Sequence, residues 1–423
     1  MYRPPEKVRL RPFPFPYRAG LAMASDIDGC TPATFVAVHR YLNGELGLPV
    51  ADSCFGWGRE PGQMAYFLAD GRTPSPAAPL LRAALQAGLI DSLHSWGDFN
   101  QQPPEPGFLR QLAQALTEQW QQAGLSVPVW INHGAPTNRQ NFLTRMKPEF
   151  VGDEPRSPWY TADLARAMGI RFYWGMELTP WPLSLPRPWT VPAYWLRVGS
   201  NSIKNLIKFF LGCRRQCRRR EQITSLAVPL ELRDGWRVWA CNRFNRHPQG
   251  LWGLPTRHTL RYALAPAVLA KLRREAGFLI LYTHLGLPRP AGGPIFPAPD
   301  RQALEDLADN YHKGNIWVAT TARLLTYWQV HHSLQWRTKA PGDHCVIELM
   351  TIADLENGRR RPTAAELAGL SFYVDRPGAT KLVVGGQEVV TRSVPPDHTG
   401  RGGIMVPLAP PPATLCLEER WAA

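Results

Sequence analysis

Two aspartates follow an apolar run near the start of the chain, in the stretch LAMASDIDGC at residues 21–30. An unpaired buried charge is costly, so Asp26 and Asp28 need a partner from elsewhere in the chain. Polar residues that could take part in the same chemistry follow later apolar runs: His94 and Asp98 in HSWGD, His133 in WINHGAP, and His284 in LYTHLG. Carboxylates and imidazoles are the side chains that bind divalent metals and transfer protons near neutral pH.

The elements that must position these residues can be predicted from the pattern of apolar residues. Apolar runs predict strands at 19–30, 88–99, 127–134, 169–176 and 277–286. Apolar residues at three- and four-residue spacing predict helices at 79–89, 106–124 and 158–169. Alternating strands and helices favour a parallel α/β sheet or barrel, in which chemistry collects at the carboxyl ends of the strands. The polar residues would all lie at that end.

The ordered motifs resemble the polysaccharide deacetylase superfamily. Asp-Ile-Asp-Gly follows a strand, His-Ser-x-x-Asp follows a later one, and a histidine closes a late strand. The resemblance covers roughly residues 17–330 in motif order and spacing, and NIWVATTARLLTYW is similar to the family's closing strand and helix. It implies an irregular (β/α) barrel that removes acetyl groups from chitin-like sugars or peptidoglycan, with a divalent metal for which zinc is the first candidate.

The resemblance also implies roles for individual residues. Asp28 and His94 would be metal ligands, Asp26 the general base, and His284 the acid that protonates the leaving group. The second motif has Asp98 where the family has histidine, and Asp98 is then expected as a further metal ligand.

A second departure concerns the region after residue 130. His133 stands where the family's arginine-proline motif is expected, and that motif is absent. His133 is expected to complete the metal site or, with Asn132, to bind substrate. Trp96 is expected to stack on a sugar ring, although tryptophan also forms protein cores.

Each candidate also has a purely structural interpretation. Asp26 and Asp28 could cap a helix that begins near Thr31-Pro32. His94 could simply bond backbone at the end of its strand, and Asp98 and His133 could be turn residues. Cys30 could be a thiolate nucleophile, but no Cys-His-Asn signature accompanies it, which favours a small buried thiol.

Composition restricts the partners. The net charge of +14 and the pI of about 9.7 favour an anionic partner. Because the sequence contains no recognised nucleic-acid-binding motif, a nucleic acid is not expected as that partner. Residues 202–222, SIKNLIKFFLGCRRQCRRREQ, have an apolar side and a cationic side, which is typical of contact with an anionic membrane surface. Seven cysteines without a CxxC pair, and no apolar stretch resembling a signal peptide, indicate a cytoplasmic protein, or one peripheral to the inner membrane.

The chain is expected to have two domains. Residues 1–340 would form the barrel, with a basic insertion carried on loops at about 185–262, and residues 341–423 a small all-β domain. The leading hypothesis is a metal-dependent hydrolase that removes N- or O-linked acetyl groups from a cell-surface polysaccharide or its precursor. The alternatives are a catalytically inactive glycan-binding relative, a peripheral protein that binds anionic membranes or polyanions, and, less favoured, a glycosidase.

Overall fold

In the computed structural model of the protein, the described residues are 8–58, 62–68, 70–99, 108–134, 138–143, 151–175, 178–180, 225–287, 293–339 and 344–412. The basic segment 202–222 therefore lies outside the described residues. The strands of the first three quarters of the chain are β1 (Arg9–Leu10), β2 (Ala19–Ser25), β3 (Ala51–Trp57), β4 (Ala65–Phe67), β5 (Ile90–His94), β6 (Val129–Ile131), β7 (Phe172–Trp174), β8 (Leu178–Thr179), β9 (Ala227–Glu231), β10 (Arg237–Cys241), β11 (Arg243–Phe244), β12 (Phe278–Thr283) and β13 (Ile316–Val318).

Strand β2 is at the centre of a twelve-stranded, largely parallel sheet. It pairs in parallel with β12 along most of its length, with β13 at its start and with β3 at its end. The sheet continues through β3, β5, β6 and β7, all in parallel. All seven residues of β2, AGLAMAS, are buried, as expected for a strand that is covered on both faces.

The sheet is curled, and the chain passes directly from a strand near one edge, β10, to a strand near the other edge, β11. Strand β10 pairs in parallel with β7, and β11 pairs in parallel with β12 at the other end. Only Asn242 separates β10 from β11. Strands β9 and β10 form an antiparallel hairpin around the turn at Asp234-Gly235. The described part of the predicted insertion 185–262 thus includes strands of the main sheet.

Helices cover the sheet and connect its strands. They are α1 (Pro32–His39), α2 (Ala78–Ala87), α3 (Arg110–Gln122), α4 (Ala162–Ala167), α5 (Leu260–Ala263), α6 (Pro266–Arg274), α7 (Ala298–His312), α8 (Thr321–Ser333) and α9 (Ala364–Leu367), with a π-helical turn at Arg40–Glu45 and a 3₁₀ turn at Pro377–Ala379. The alternation of strands and helices confirms the predicted mixed α/β class. None of the helices in the described part of the chain is both long and apolar enough to cross a bilayer.

The C-terminal part is built mainly from strands, with one short helix at Ala364–Leu367. The strands are β14 (Gln335–Lys339), β15 (Cys345–Asp354), β16 (Gly358–Arg360), β17 (Ser371–Tyr373), β18 (Thr380–Val384), β19 (Gln387–Val389), β20 (Arg392–Val394) and β21 (Gly403–Met405). One sheet has the order β14-β15-β18-β19, and another has the order β1-β17-β21-β20. Because β1 belongs to the second sheet, the start of the chain is tied to its C-terminal part, and the buried Arg11–Asp397 ion pair at 3.0 Å strengthens this connection.

Candidate metal centre

The tip of β2 carries the two aspartates. Asp26 follows the strand directly, and Gly29 adopts a φ of +62°, a left-handed conformation that suits glycine and turns the chain towards α1. The Thr31 hydroxyl accepts the hydrogen bond from the Thr34 N–H at the start of α1. The helix cap is therefore Thr31, and Asp26 and Asp28 remain available for other contacts.

Three histidines approach Asp28 from the ends of neighbouring strands. His94 is the last residue of β5, His133 lies just beyond β6, and His284 follows β12. One nitrogen of each ring lies 3.5 Å from an Asp28 oxygen: His94 Nδ1 and His284 Nε2 from Oδ2, and His133 Nδ1 from Oδ1. The parallel sheet brings these ends together, as the sequence predicts.

Two groups of residues among those described could hold a metal ion. One is Asp28, His94 and His133, and the other is Asp26, Asp28 and His284, with the potential ligand atoms of each group within 4.8 Å of one another. Both oxygens of Asp26 are engaged by Arg243, at 2.7 and 3.1 Å. The first group is therefore the better cation site, and we call it the candidate metal centre.

The residues of the candidate metal centre fit a divalent cation. His94 Nδ1 is buried and forms no hydrogen bond within the described structure, although it faces the Asp28 carboxylate. Burial lowers the pKa of His94 to about 4, more than the neighbouring Asp26 and Asp28 raise it. The ring is therefore neutral at physiological pH, which is the form that binds metals. One carboxylate and two imidazoles make a donor set that suits zinc and leaves coordination positions open.

The fully buried Phe55 of β3 packs against both histidines of the centre. Its ring stacks on His94 with centroids 5.0 Å apart and meets His133 edge-on at 5.1 Å. Such contacts restrict the orientation of both imidazoles. Neither Phe55 nor the strand that carries it is predicted from the sequence pattern.

Asp98 lies behind His133 and outside both metal-binding groups. Its Oδ1 is 3.1 Å from His133 Nε2, and its Oδ2 accepts a hydrogen bond from Gln63 Nε2 at 2.8 Å. A carboxylate on the far nitrogen of a histidine is the usual second partner of a metal-binding imidazole, because it fixes the tautomer and the ring orientation. The geometry favours this supporting role for Asp98. It places His133, which was expected either to complete the metal site or to bind substrate, in the metal-binding group.

Replacing Asp98 by asparagine is expected to weaken zinc binding by about 10- to 100-fold without abolishing it, since the ligands remain but His133 loses its orienting carboxylate. The affinity can be measured by competition with a chromophoric chelator. Glu348→Gln, which changes a half-buried carboxylate of the C-terminal sheet, is the control. A complete loss of zinc from the Asp98 variant would instead make Asp98 a ligand.

Arg243 on β11, which is separated from β2 only by β12, neutralises Asp26. Its guanidinium carbon lies 3.1 Å from the Trp174 ring centroid and 4.0 Å from that of Tyr282, and the side chain is 1% exposed. Burial alone would raise the pKa of Asp26, but Arg243, followed by His94, holds it below its ordinary value. Asp26 is therefore an ionised carboxylate beside the centre. Arg243 was not among the predicted site residues, although an arginine at the end of the largely apolar run VWACNRF is as unusual as the aspartates.

His284 is oriented by the backbone. Its Nδ1 lies 2.9 Å from the Pro255 carbonyl oxygen, which can only accept, so Nδ1 carries a proton, and Nε2 faces the Asp28 carboxylate. Burial opposes the charged form of the ring, but the hydrogen bond to Asp28 and the charge of Asp26 raise the pKa of His284 above its ordinary value. The next residue is also fixed, because the Leu285 N–H donates to Ser25 Oγ at 3.0 Å.

Two predicted substrate-binding residues are not brought to the centre. Asn132 is buried, with Nδ2 donating to the Phe142 carbonyl and Oδ1 accepting from Trp130 Nε1. Trp96 is fully buried, and its Nε1 donates to Thr161 Oγ1. Trp96 presents no face to a sugar, because its side chain lies entirely within the core.

Cys30 is also unsuited to nucleophilic chemistry. Its side chain is fully buried, and burial raises the pKa of the thiol well above its usual range. The described cysteines, Cys30, Cys54, Cys241 and Cys345, are all buried.

Comparisons of the chain with protein-family models, with curated proteins and with solved structures find no match. The function is therefore inferred from the geometry and chemistry of the candidate metal centre.

Proposed function

We propose that the protein is a metal-dependent hydrolase that removes N- or O-linked acetyl groups from a polysaccharide or its precursor, on a barrel of the polysaccharide deacetylase type. The observation that carries the proposal is the convergence of three imidazoles on Asp28, beside a buried carboxylate that an arginine keeps ionised. This set contains metal ligands, a base and an acid within a few ångströms.

Asp28, His94 and His133 would hold the cation. When bound, a zinc-like ion polarises the acyl oxygen of a substrate and lowers the pKa of a water molecule towards about 7. Asp98 keeps His133 in the tautomer that directs Nδ1 to the centre.

The residues beside the ligands would move the protons. Asp26 accepts the proton of the attacking water, and its contact with Arg243 keeps it ionised and fixed in orientation. The water oxygen adds to the acyl carbon, and the bond from that carbon to the sugar nitrogen or oxygen then breaks. His284 donates a proton from Nε2 to the departing nitrogen or oxygen, which yields acetate and a free amine or hydroxyl.

The buried ion pair favours turnover over simple glycan binding. Burying a carboxylate and a guanidinium is costly, and a protein that only bound sugar would not need an ionised base at this position. The contact with an anionic membrane that residues 202–222 predict stays a separate proposal, because that segment lies outside the described residues.

Removing the metal tests the proposal directly. We expect the purified chain to release acetate from oligomers of N-acetylglucosamine or from O-acetylated glycans, to lose this activity on chelation, and to regain it with one equivalent of zinc. Acetate release that survives chelation would contradict metal dependence. Stoichiometric zinc without acetate release from any of these substrates would favour the inactive glycan-binding alternative.

A further inference from the structure

The loop that follows β11, residues 245–258, presents two apolar side chains to solvent. Trp252 is 71% exposed and Leu254 is 54% exposed. Among the exposed large apolar side chains of the described residues, Trp252 is the only aromatic one. We call this segment the Trp252 loop.

The backbone around Trp252 is held in place by two hydrogen bonds from the buried side chain of Asn245. Asn245 is 1% exposed, and its Nδ2 donates to the Leu251 carbonyl at 2.7 Å and to the Gly253 carbonyl at 2.9 Å. These carbonyls flank Trp252 on both sides, and Leu251 packs against the core. A single exposed apolar residue is ordinary, but here the loop fixes an indole in an outward position.

The Trp252 loop is continuous with the candidate catalytic residues. The carbonyl of Pro255, three residues after Trp252, receives the Nδ1–H of His284 at 2.9 Å. Arg257 Nη1 contacts the carbonyl oxygens of Leu285 and Leu287, which follow His284. The loop therefore adjoins the side of the centre where the sugar, as leaving group, accepts its proton.

We propose that the Trp252 loop is a sugar-binding subsite, in which the indole stacks on a ring next to the sugar that loses its acetyl group. The inference rests on the proposed function and names its substrate class as an oligomer or polymer instead of a free monosaccharide. A pyranose ring has an apolar C–H face, which matches the flat face of an indole, and a rigid aromatic residue loses little entropy on binding. Binding energy from such a remote subsite can be used to position the reacting sugar.

A membrane surface fits the same loop less well. Attraction to anionic lipids contributes about 1 kcal/mol per basic residue, and membrane-binding segments carry clusters of them. Of the two arginines in the loop, Arg246 is exposed and Arg257 is fully buried. Continuity with His284 thus favours the glycan.

The test compares a short and a long probe. Binding of N-acetylglucosamine and of its tetramer is measured by calorimetry on the full chain, with metal removed to prevent turnover. Trp252→Ala is expected to weaken tetramer binding about tenfold, leaving monomer binding within about twofold, and Trp252→Phe to retain most of the tetramer affinity. Val390→Ala, at a side chain that is 77% exposed in the C-terminal part, should change neither affinity.

Several results would overturn the subsite: no binding of the tetramer by the wild-type chain, no effect of Trp252→Ala, or an equal loss for both probes. An unchanged tetramer affinity with reduced binding to phosphatidylglycerol vesicles would assign the loop to a membrane instead. Trp252-dependent tetramer binding without acetate release from the zinc-loaded protein would support the subsite and contradict the hydrolase proposal, so the two failures are distinguishable.

Discussion

Replacing Asp28 by alanine is expected to remove the bound metal and to lower acetate release by at least about 10³-fold, because a metal ion supplies several kcal/mol of transition-state stabilisation. Asp28 is the carboxylate that both metal-binding groups share, and three histidine nitrogens lie 3.5 Å from its oxygens. Metal content by elemental analysis and acetate release by an enzymatic assay measure the two effects separately.

A matched control changes an aspartate outside the centre. Asp309→Ala removes an exposed carboxylate that pairs with Lys313 near the end of α7, and it should leave metal content and activity unchanged. Comparing the thermal unfolding of the metal-free proteins shows whether the Asp28 variant still folds. If the folded Asp28 variant kept a full equivalent of zinc, the candidate metal centre would be wrong.

The second large effect is expected for Arg243→Met. This change leaves the Asp26 carboxylate buried without its counter-charge, which should lower the free energy of unfolding by about 3–5 kcal/mol at neutral pH. Urea unfolding followed by circular dichroism measures the loss. The double variant Asp26→Asn, Arg243→Met removes both charges and should recover most of the stability, because the penalty comes from the uncompensated carboxylate.

The same pair determines how stability depends on pH. In the wild-type protein the pKa of Asp26 lies below its ordinary value near 3.8, so its contribution to stability is present above that pH and is lost as pH falls through the lowered pKa. Without Arg243 the buried carboxylate favours protonation, so the stability deficit of the variant should be largest at neutral pH and shrink towards pH 4. A deficit that is independent of pH would show that Arg243 stabilises through packing on Trp174 and Tyr282.

Those residues of the candidate metal centre that follow a clear local pattern can be predicted from the sequence. The all-apolar β2 followed by Asp26 and Asp28 is a local signal, and the histidines at the ends of β5 and β12 follow from the same logic. The choice between Asp98 and His133 was not predictable, because it depends on the turn at Ser95 and on where β6 ends beside β5. The spacing of the motifs along the chain indicates neither the turn nor the end of the strand.

Other parts of the site depend on contacts between distant residues. Strand β3, ADSCFGW, was missed because Asp52 and Ser53 interrupt its apolar pattern, although both are buried, and the Ser53 hydroxyl accepts the Ile27 N–H of the aspartate loop. Arg243 was missed because its partner lies 217 positions away. In the sequence Arg243 belongs to a predicted surface insertion. It becomes a buried counter-ion because β11, which carries it, joins the main sheet beside β12.

The segment from β10 to β11 also has a consequence for synthesis on the ribosome. Asp28, His94 and His133 are translated more than 100 residues before Arg243, and His284 follows later still. A nascent chain of about 200 residues therefore carries the three residues of the candidate metal centre but lacks Arg243, the counter-ion of Asp26. Contacts between positions so far apart are slow to form, so we expect Asp26 to acquire its partner only after more than half of the chain has been made.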